Sequence, residues 1–202
     1  AFDGGSTDIL LAELGALYAA LAAGGTAADA GLAELAVQYV DYALWQRDDA
    51  LVALLEPSRA YWRTQLREGA LPVLELPLDL PRPAAQTFNG ATVAVALSAE
   101  VSTRLRALCQ QHGLTLYHVM LSLWGLLLCR HAGQDEVVLG SPYHGRDAAG
   151  TERLIGYFVN TLALRLEVAR RSSVAALLRR ARDAASEGMR HTSVPFQQLV
   201  HE

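Results

Sequence analysis

Three residue types of a hydrolytic triad occur within one short loop: Ser141, His144 and Asp147. Together a serine, a histidine and an aspartate can perform nucleophilic acyl transfer, with the histidine as general base. Triads are built by fold geometry rather than by closeness in sequence, and no GxSxG elbow frames Ser141, because Pro142 follows it directly. The sequence therefore argues against a hydrolase triad here.

The other chemistry-bearing residues show no metal or phosphate-loop spacing. The histidines include no HExxH pair, and residues 140–145 lack a phosphate-loop lysine and the dinucleotide-binding spacing. His118 lies in a nearly all-apolar helical pattern, which is more typical of a hydrogen-bonded core histidine than of a catalyst. Cys109 and Cys129 form no CxxC pair, so we expect buried free thiols in a reducing cytosol and no metal site.

Composition indicates a globular protein with small or protein-tethered substrates. The chain has 202 residues, 51% of them hydrophobic and 19% charged, which suits one domain or parts of two lobes. A net charge of -4 without a basic stripe predicts neither nucleic-acid nor membrane binding. The longest apolar stretch, Met120–Cys129, is shorter than a bilayer-spanning helix needs. The first residues resemble no signal peptide, so we expect a cytoplasmic location.

Helical patterns dominate the first third of the chain. A first helix is predicted from a cap at Ser6 or Thr7 to Gly24, with leucines at helical spacing. An aromatic-rich helix is predicted over 35–49 and a third over 57–69.

The chain then changes character. Residues 71–84 include four prolines among apolar residues, which predicts an extended strap across a surface. Residues 92–97 alternate apolar and small or polar side chains, which predicts a short strand.

The last half alternates helices and strands. Ser98 is predicted to cap a helix with Val101, Leu105 and Leu108 facing inward, and Thr115 to cap a central, buried helix over 116–131. Further predicted elements are strands at 137–139 and 162–166, a helix over 174–189 and a helix start at Pro195. The fold class is α/β, a mixed sheet covered by helices.

Four local sequences remain that composition does not explain. They are Asp3–Ser6 (DGGS), Tyr39–Trp45 (YVDYALW), Ile155–Arg165 (IGYFVNTLALR) and His191–Gln197 (HTSVPFQ). In this order they resemble the core motifs of nonribosomal peptide synthetase condensation domains: the end of His-His-x-x-x-Asp-Gly, then Tyr-x-Asp-Tyr-Ala-x-Trp, Ile/Val-Gly-x-Phe-Val-Asn-Thr and His-Gln-Asp-x-Pro-Phe-Glu. The last motif departs from the family at Thr192, Ser193 and Gln197.

The resemblance implies a chloramphenicol acetyltransferase-like, two-lobed fold. Residues 1–50 would be the tail of the N-terminal, donor-side lobe, and 51–202 would be most of the C-terminal, acceptor-side lobe. Counting back from Asp3, the two motif histidines would precede Ala1, so the chain is interpreted as an internal fragment that carries no catalytic residue and is inactive alone. Asp3 and Gly4 would be structural, with Asp3 paired to an arginine, for which Arg165 is one candidate.

Further site residues follow from the same resemblance. Asn160, Thr161, Ser141 and Ser6 are expected near the active-site cleft, although Asn160 and Thr161 could equally cap a strand and bind backbone. Structural roles are expected for another group of motif residues: Tyr39, Asp41, Trp45, Gly156, Phe158, Arg165, Pro195 and Phe196.

In this family, condensation joins two acyl groups that carrier domains deliver as phosphopantetheine thioesters. The resemblance therefore implies amide formation, partner carrier and adenylation domains, and no directly bound cofactor or metal. The Phe-Val-Asn-Thr stretch favours condensation over epimerization. Heterocyclization or ester formation within the same fold stays open, since Asp3 and Ser6 fit either pattern while Gly4 favours condensation. An inert docking or scaffold module also stays open.

Overall fold

Residues 1–66, 71–169 and 171–201 are described by the computed structural model of the protein. The helices are α1 (Gly4–Ala22), α2 (Tyr39–Trp45), α3 (Asp49–Leu54), α4 (Glu56–Leu66), α5 (Ala99–His112), α6 (Leu116–Ala132), α7 (Val174–Arg190) and α8 (Phe196–His201), with a 3-10 turn at Ala27–Ala30. The strands β1 (Glu136–Tyr143) and β2 (Asn160–Glu167) pair in a two-stranded sheet.

Two compact units divide the chain, and each is discontinuous in sequence. The first unit consists of Ala1–Gln65, Ser141–Leu162 and His191–Glu202. The second consists of Leu66–Gly140 and Ala163–Arg190. The predicted lobe boundary at residue 50 stays a prediction.

The first helix begins earlier than predicted. Asp3, rather than Ser6 or Thr7, is the N-cap of α1, and its carboxylate accepts a hydrogen bond from the Ser6 amide. Ser6 lies inside the first turn and is fully buried. The prediction of the cap was wrong because a buried aspartate satisfies the end of the helix before the hydroxyl residues are reached.

By length and composition α1 is apolar enough to cross a membrane, with a mean hydropathy of 1.2, and so are α5 and α6 if they are counted as one bent span. The sequence prediction rested on Met120–Cys129, a part of α6, and considered neither α1 nor the bent pair. One or two such helices are weak evidence, because core helices of soluble proteins and signal sequences near an N-terminus pass the same test.

The predicted helix over 35–49 is confined to α2. A new helix, α3, begins after Asp48, whose carboxylate accepts hydrogen bonds from the amides of Ala50 and Leu51. The third predicted helix is α4, and its predicted end near Gly69 lies outside the described residues. Within α4, Trp62 is buried and its Nε1 donates to the His191 carbonyl at 2.9 Å, which fastens two segments of the first unit together.

The proline-rich segment forms neither helix nor strand and bends at residues 79–80 and 84–85, so its predicted extended conformation stays a prediction. Gln134 holds it: the Gln134 amide donates to the Val73 carbonyl at 2.8 Å and accepts from the Glu75 amide at 3.2 Å. The strand predicted over 92–97 is wrong, because these residues join no described sheet and Val93 and Val95 are exposed. Alternation alone does not make a strand without a neighbour to accept its hydrogen bonds.

The second unit contains a helical core. Cys109, Leu114, Val119 and Leu178 pack together across α5, α6 and α7. Ser98 caps α5, and Gly113 ends it in the left-handed region, as its sequence indicates. The inward position predicted for Val101 is wrong, since that side chain is exposed.

Helix α6 is capped by Thr115, as predicted, but it is buried on one face only. Leu123, Trp124 and Leu127 are exposed, so the prediction of burial all round is wrong. On its buried face, a Cβ at Gly125 would lie 2.9 Å from the Leu166 side chain, so glycine permits close packing onto β2.

The predicted buried free thiols of this unit are confirmed, whereas His118 is hydrogen-bonded as predicted but only half-buried, so its predicted place in the core is not confirmed. His118 Nδ1 accepts a hydrogen bond from the Thr115 amide at 3.2 Å, and burial together with the charge of Arg182 lowers the His118 pKa. Cys109 and Cys129 are buried free thiols, and burial raises the pKa of Cys129.

Candidate active site

Asp3 is a buried carboxylate with several hydrogen-bond donors around it. Its side chain is 2% exposed. Oδ1 accepts from the Ser6 amide at 2.9 Å and the Ser6 hydroxyl at 2.8 Å, while Oδ2 accepts from the Phe158 amide at 2.9 Å. Burial alone would raise the pKa of Asp3, but these hydrogen bonds and that of Arg146 outweigh it and lower the pKa to about 2. Asp3 is therefore a fixed anion at neutral pH.

Arg146 is the arginine that pairs with Asp3. Its Nη2 lies 3.0 Å from Asp3 Oδ1, and its side chain is 11% exposed. The candidate named from the sequence, Arg165, is wrong: its guanidinium binds Glu136 at 2.6 Å in the second unit. Sequence reasoning missed Arg146 because it stands among other charged residues in a loop, and no local pattern marks it as the partner of Asp3.

The same guanidinium also organises the loop that follows. Its Nη1 donates to the carbonyls of Thr151 at 2.8 Å and Leu154 at 2.7 Å. Its central carbon lies 4.2 Å from the centre of the Phe158 ring, in a cation–π contact. Arg146 thus joins the start of α1 to the residues that lead into β2.

Ser6 supplies a second link between these segments. Its hydroxyl oxygen accepts from the Gly156 amide at 3.0 Å and from Arg146 Nη2 at 3.1 Å. The hydroxyl proton can go to Asp3 Oδ1 or to the Gly156 carbonyl, each 2.8 Å away. A serine carries one such proton, so it can make one of these two bonds at a time. Its expected place beside a reaction cleft stays a prediction.

Glycine is required at two positions of this loop by close approach. A Cβ at Gly156 would overlap the ring of Tyr39, and one at Gly145, which has a φ of 67°, would overlap the Phe158 carbonyl. Tyr39 packs edge-on against Phe158 with ring centres 5.3 Å apart, and its hydroxyl donates to the Tyr157 carbonyl at 3.0 Å. These contacts agree with the structural roles expected for Tyr39, Gly156 and Phe158.

The other residues of the second motif, Tyr39–Trp45, differ in how far their side chains are packed. Asp41 is exposed and lies in the first turn of α2, where its side chain accepts from the amide of the N-cap residue Gln38 at 2.7 Å. Tyr42 packs between Phe158, at 4.8 Å, and Trp45, at 5.8 Å. Trp45 is 49% exposed, so it packs on one side only.

Asn160 has hydrogen-bond partners for both its amide nitrogen and its amide oxygen. Its Nδ2 donates to the carbonyls of Thr192 and Val194, each at 2.8 Å, and its Oδ1 accepts from the amides of Thr161 and Phe196, each at 2.9 Å. Two donations and two acceptances use the full capacity of an amide side chain. These bonds agree with the interpretation that it binds backbone at the start of β2. The expected proximity of Asn160 and Thr161 to a cleft stays a prediction.

The same bonds position the fourth motif. Because Asn160 Oδ1 accepts from Phe196, it satisfies an amide in the first turn of α8. Pro195 directly precedes this helix, and its carbonyl accepts from the Gln198 amide at 2.9 Å. The predicted helix start at Pro195 is confirmed.

Ser141, His144 and Asp147 lie close in sequence, but two of them have other partners. His144 Nδ1 accepts from the Arg146 amide at 3.1 Å. Asp147 accepts from the Tyr143 hydroxyl at 2.7 Å, which raises the pKa of Tyr143 to about 12. Ser141 lies in β1 and is half-buried. This arrangement gives no support to a triad. The described residues also contain no group of three or more His, Cys, Asp or Glu side chains that could hold a metal ion.

Comparison with known proteins places this arrangement in a family. A model of the Condensation domain family matches residues 1–202. The chain is 43% identical over 198 residues to malpibaldin synthetase of Mortierella alpina and 40% identical over 200 residues to surfactin synthase subunit 1 of Bacillus subtilis (strain 168). These matches cover 98% and 99% of this chain, which spans 4% and 5% of the lengths of the two relatives.

Solved structures agree in fold. The X-domain from teicoplanin biosynthesis matches with a TM-score of 0.89 and 27% identity, over 98% of this chain and 44% of that one. A four-domain nonribosomal peptide synthetase bound to AMP and glycine matches with a TM-score of 0.79 and 24% identity, over 98% of this chain and 14% of that one. The predicted α/β, chloramphenicol acetyltransferase-like fold class is confirmed. The chain belongs to the condensation domain family of nonribosomal peptide synthetases.

Proposed function

We propose that this chain is part of a domain that forms an amide bond between two acyl groups tethered to carrier proteins. In that reaction the amine nitrogen of the acceptor attacks the carbonyl carbon of the donor thioester. The carbon–nitrogen bond forms, the carbon–sulfur bond breaks, and the amine proton passes to a base while the thiolate leaves. Positioning of two tethered reactants supplies a large part of such catalysis.

The observation that carries this proposal is the buried Asp3–Arg146 pair at the end of the histidine motif. The family motif places its two histidines a few residues before Asp3, so whatever holds Asp3 also holds the backbone that leads to them. Asp3, Ser6 and Arg146 bind each other and two further segments, at distances of 2.7–3.1 Å. Such rigid support is what a general base needs to stay within hydrogen-bond reach of its substrate.

Asp3 itself is assigned a supporting role. An ionised carboxylate whose oxygens accept from Ser6, Phe158 and Arg146 is held in place and is not poised to take a substrate proton. We therefore propose that the chain alone is inactive and that the imidazole of the intact synthetase handles the proton. The partners of the synthetase would be carrier domains with phosphopantetheine arms and a neighbouring adenylation domain. We place the synthetase in the cytoplasm and expect it to bind neither nucleic acid nor a membrane.

A docking module is a second candidate, and one observation favours it. The X-domain, which is also solved in a complex with OxyB, matches this chain with a TM-score of 0.88–0.89. Structures described as condensation domains match this chain with TM-scores of 0.66–0.76. The 40–43% identity to peptide synthetases over nearly the whole chain favours condensation instead. Heterocyclization or ester formation in the same fold is a third possibility, with the same scaffold and a different nucleophile.

The test uses the intact synthetase with both carrier domains loaded. Mass spectrometry of the carrier-bound product should show an amide-linked acyl chain, and replacing the second motif histidine with alanine should abolish it. An ester or a ring instead of the amide would assign the alternative chemistry. Complete absence of acyl transfer with loaded carriers, together with binding of a partner protein, would assign the docking module. Amide formation by the 202-residue chain alone would refute the placement of the catalytic group.

A further inference from the structure

An open pocket lies within the first unit, beside the Asp3 network. Its volume is about 230 Å³. Sites that take a drug-sized ligand measure roughly 300–1,000 Å³, so this pocket suits a single side chain rather than a whole peptide. One wall is the face of α2 that carries Tyr39, Tyr42 and Trp45 at helical spacing.

A second part of the lining comes from the segment that leads into β2 and packs against α2. Tyr157 and Phe158 contribute to it. The Phe158 ring touches Tyr42, and the Phe158 amide donates to Asp3 at 2.9 Å. The network that braces Asp3 therefore also fixes this wall of the pocket. Trp45 and Tyr157 are each 49% exposed, so aromatic surface is left available at the rim.

The charge of the pocket restricts what it can hold. Among the lining residues that the structure describes, Asp147 is the single charged side chain, and no basic side chain accompanies it. Aromatic walls favour apolar groups. An acidic group would be desolvated against them and repelled by Asp147. The Arg146 guanidinium on the Phe158 ring lies outside the lining and is already paired with Asp3.

We propose that this aromatic pocket binds an apolar or aromatic side chain of a carrier-bound aminoacyl substrate and rejects acidic side chains. The inference rests on the proposed function, since it names the substrate class of a condensation domain. Burial of such a side chain is worth about tenfold to a hundredfold in affinity.

The direct test measures binding by the full 202-residue chain, without any reaction. The probes are the N-acetylcysteamine thioesters of phenylalanine and of aspartate, followed by ligand-observed NMR titration. The phenylalanine thioester should bind at least about tenfold tighter. Trp45→Ala should remove most of that difference, while Leu44→Ala, on the same helix but 66% exposed and outside the pocket lining, should leave it unchanged.

A second variant tests the charge without touching the aromatic walls. Asp147→Asn can still accept from Tyr143, so it should fold, and it should tighten binding of the aspartate thioester while leaving the phenylalanine thioester as before. Equal affinity of the wild-type chain for the two thioesters, or identical binding by Trp45→Ala, overturns the proposal.

The intact synthetase separates this inference from the proposed function. With phenylalanine- or aspartate-loaded carriers, amide should form faster from phenylalanine, and Trp45→Ala should lose that preference while still forming amide. Amide formation without any preference would overturn the pocket and leave the function standing. Selective binding without amide formation from any loaded carrier would overturn the proposed function and leave the pocket standing. Preference in the 202-residue chain that disappears in the synthetase would show that another segment fills the pocket, which also overturns the proposal.

Discussion

The guanidinium of Arg146 lies 3.0 Å from the carboxylate of Asp3, although 143 residues separate them in the chain. Both side chains are almost completely shielded from water. A charge in such a place is tolerated because its partner and further hydrogen bonds compensate it, so each residue depends on the other. The pair therefore couples the start of α1 to the loop before β2.

Arg146→Ala should destabilise the protein strongly. It leaves Asp3 buried without its cation and frees the carbonyls of Thr151 and Leu154, and loss of one partner of a buried pair typically costs about 3–5 kcal/mol. Arg146→Lys should restore only part of this, since an ammonium cannot reach the same four acceptors in a plane. Urea denaturation measures the change, with exposed Arg153→Ala in the same loop as control. An Arg146→Ala loss as small as that of the control would contradict the role assigned to the pair.

Stability should depend on pH through Asp3. Its folded pKa of about 2 is below the usual value of 3.8, so the unfolded chain takes up the proton first as the pH falls. The contribution of Asp3, about 2 kcal/mol, is therefore complete above about pH 4 and is lost progressively as the pH falls towards 2.

Unfolding free energies measured between pH 2 and 6 check this. Asp3→Asn should flatten the curve over that window, whereas Asp183→Asn, at an exposed position, should leave its slope unchanged. Parallel curves for the wild type and Asp3→Asn would show that the carboxylate is not stabilised in the folded state.

Local features of the sequence could be predicted because they depend on near neighbours. Ser98 and Thr115 cap helices, and Gly113 ends one, for reasons contained within a few residues. The family motifs could likewise be recognised in the sequence, because they are runs of adjacent residues.

Long-range relationships could not be predicted in the same way. Arg146 is one of 17 basic residues, and nothing near it in sequence shows that it reaches Asp3. Whether an apolar helix face is covered depends on distant elements too, which is why the prediction of burial all round fails for α6. The exposed Val93 and Val95 show the same limit for strands, since a strand needs a partner.

Gly156→Ala should destabilise the first unit because its methyl group would overlap the ring of Tyr39. Overpacking of this kind costs about 1–3 kcal/mol. In the background of Tyr39→Ala the same substitution should cost much less, so a double-mutant cycle should give a favourable coupling. Gly15→Ala, in the interior of α1 with open space around it, should instead stabilise by about 0.5–1 kcal/mol. Thermal or urea unfolding measures all four variants, and additive effects of the two substitutions at 39 and 156 would refute the contact.

Asn160→Asp should be more damaging than its small change in shape suggests. Aspartate keeps an oxygen for the amides of Thr161 and Phe196, but it presents a second oxygen to the carbonyls of Thr192 and Val194, where the amide nitrogen now donates. Two lost donations and the repulsion between oxygens should cost about 2–4 kcal/mol in unfolding free energy near neutral pH.

Because the unfavourable interaction needs a charged carboxylate, part of this loss should be recovered as the pH falls and the carboxyl group is protonated, regaining one donor. Exposed Asn89→Asp provides the matched control with the same change of charge. Urea denaturation at pH 7 and pH 4 measures the unfolding free energies of both variants. Equal, small losses of stability in the two variants would mean that the side chain of Asn160 does not hold the segment before α8.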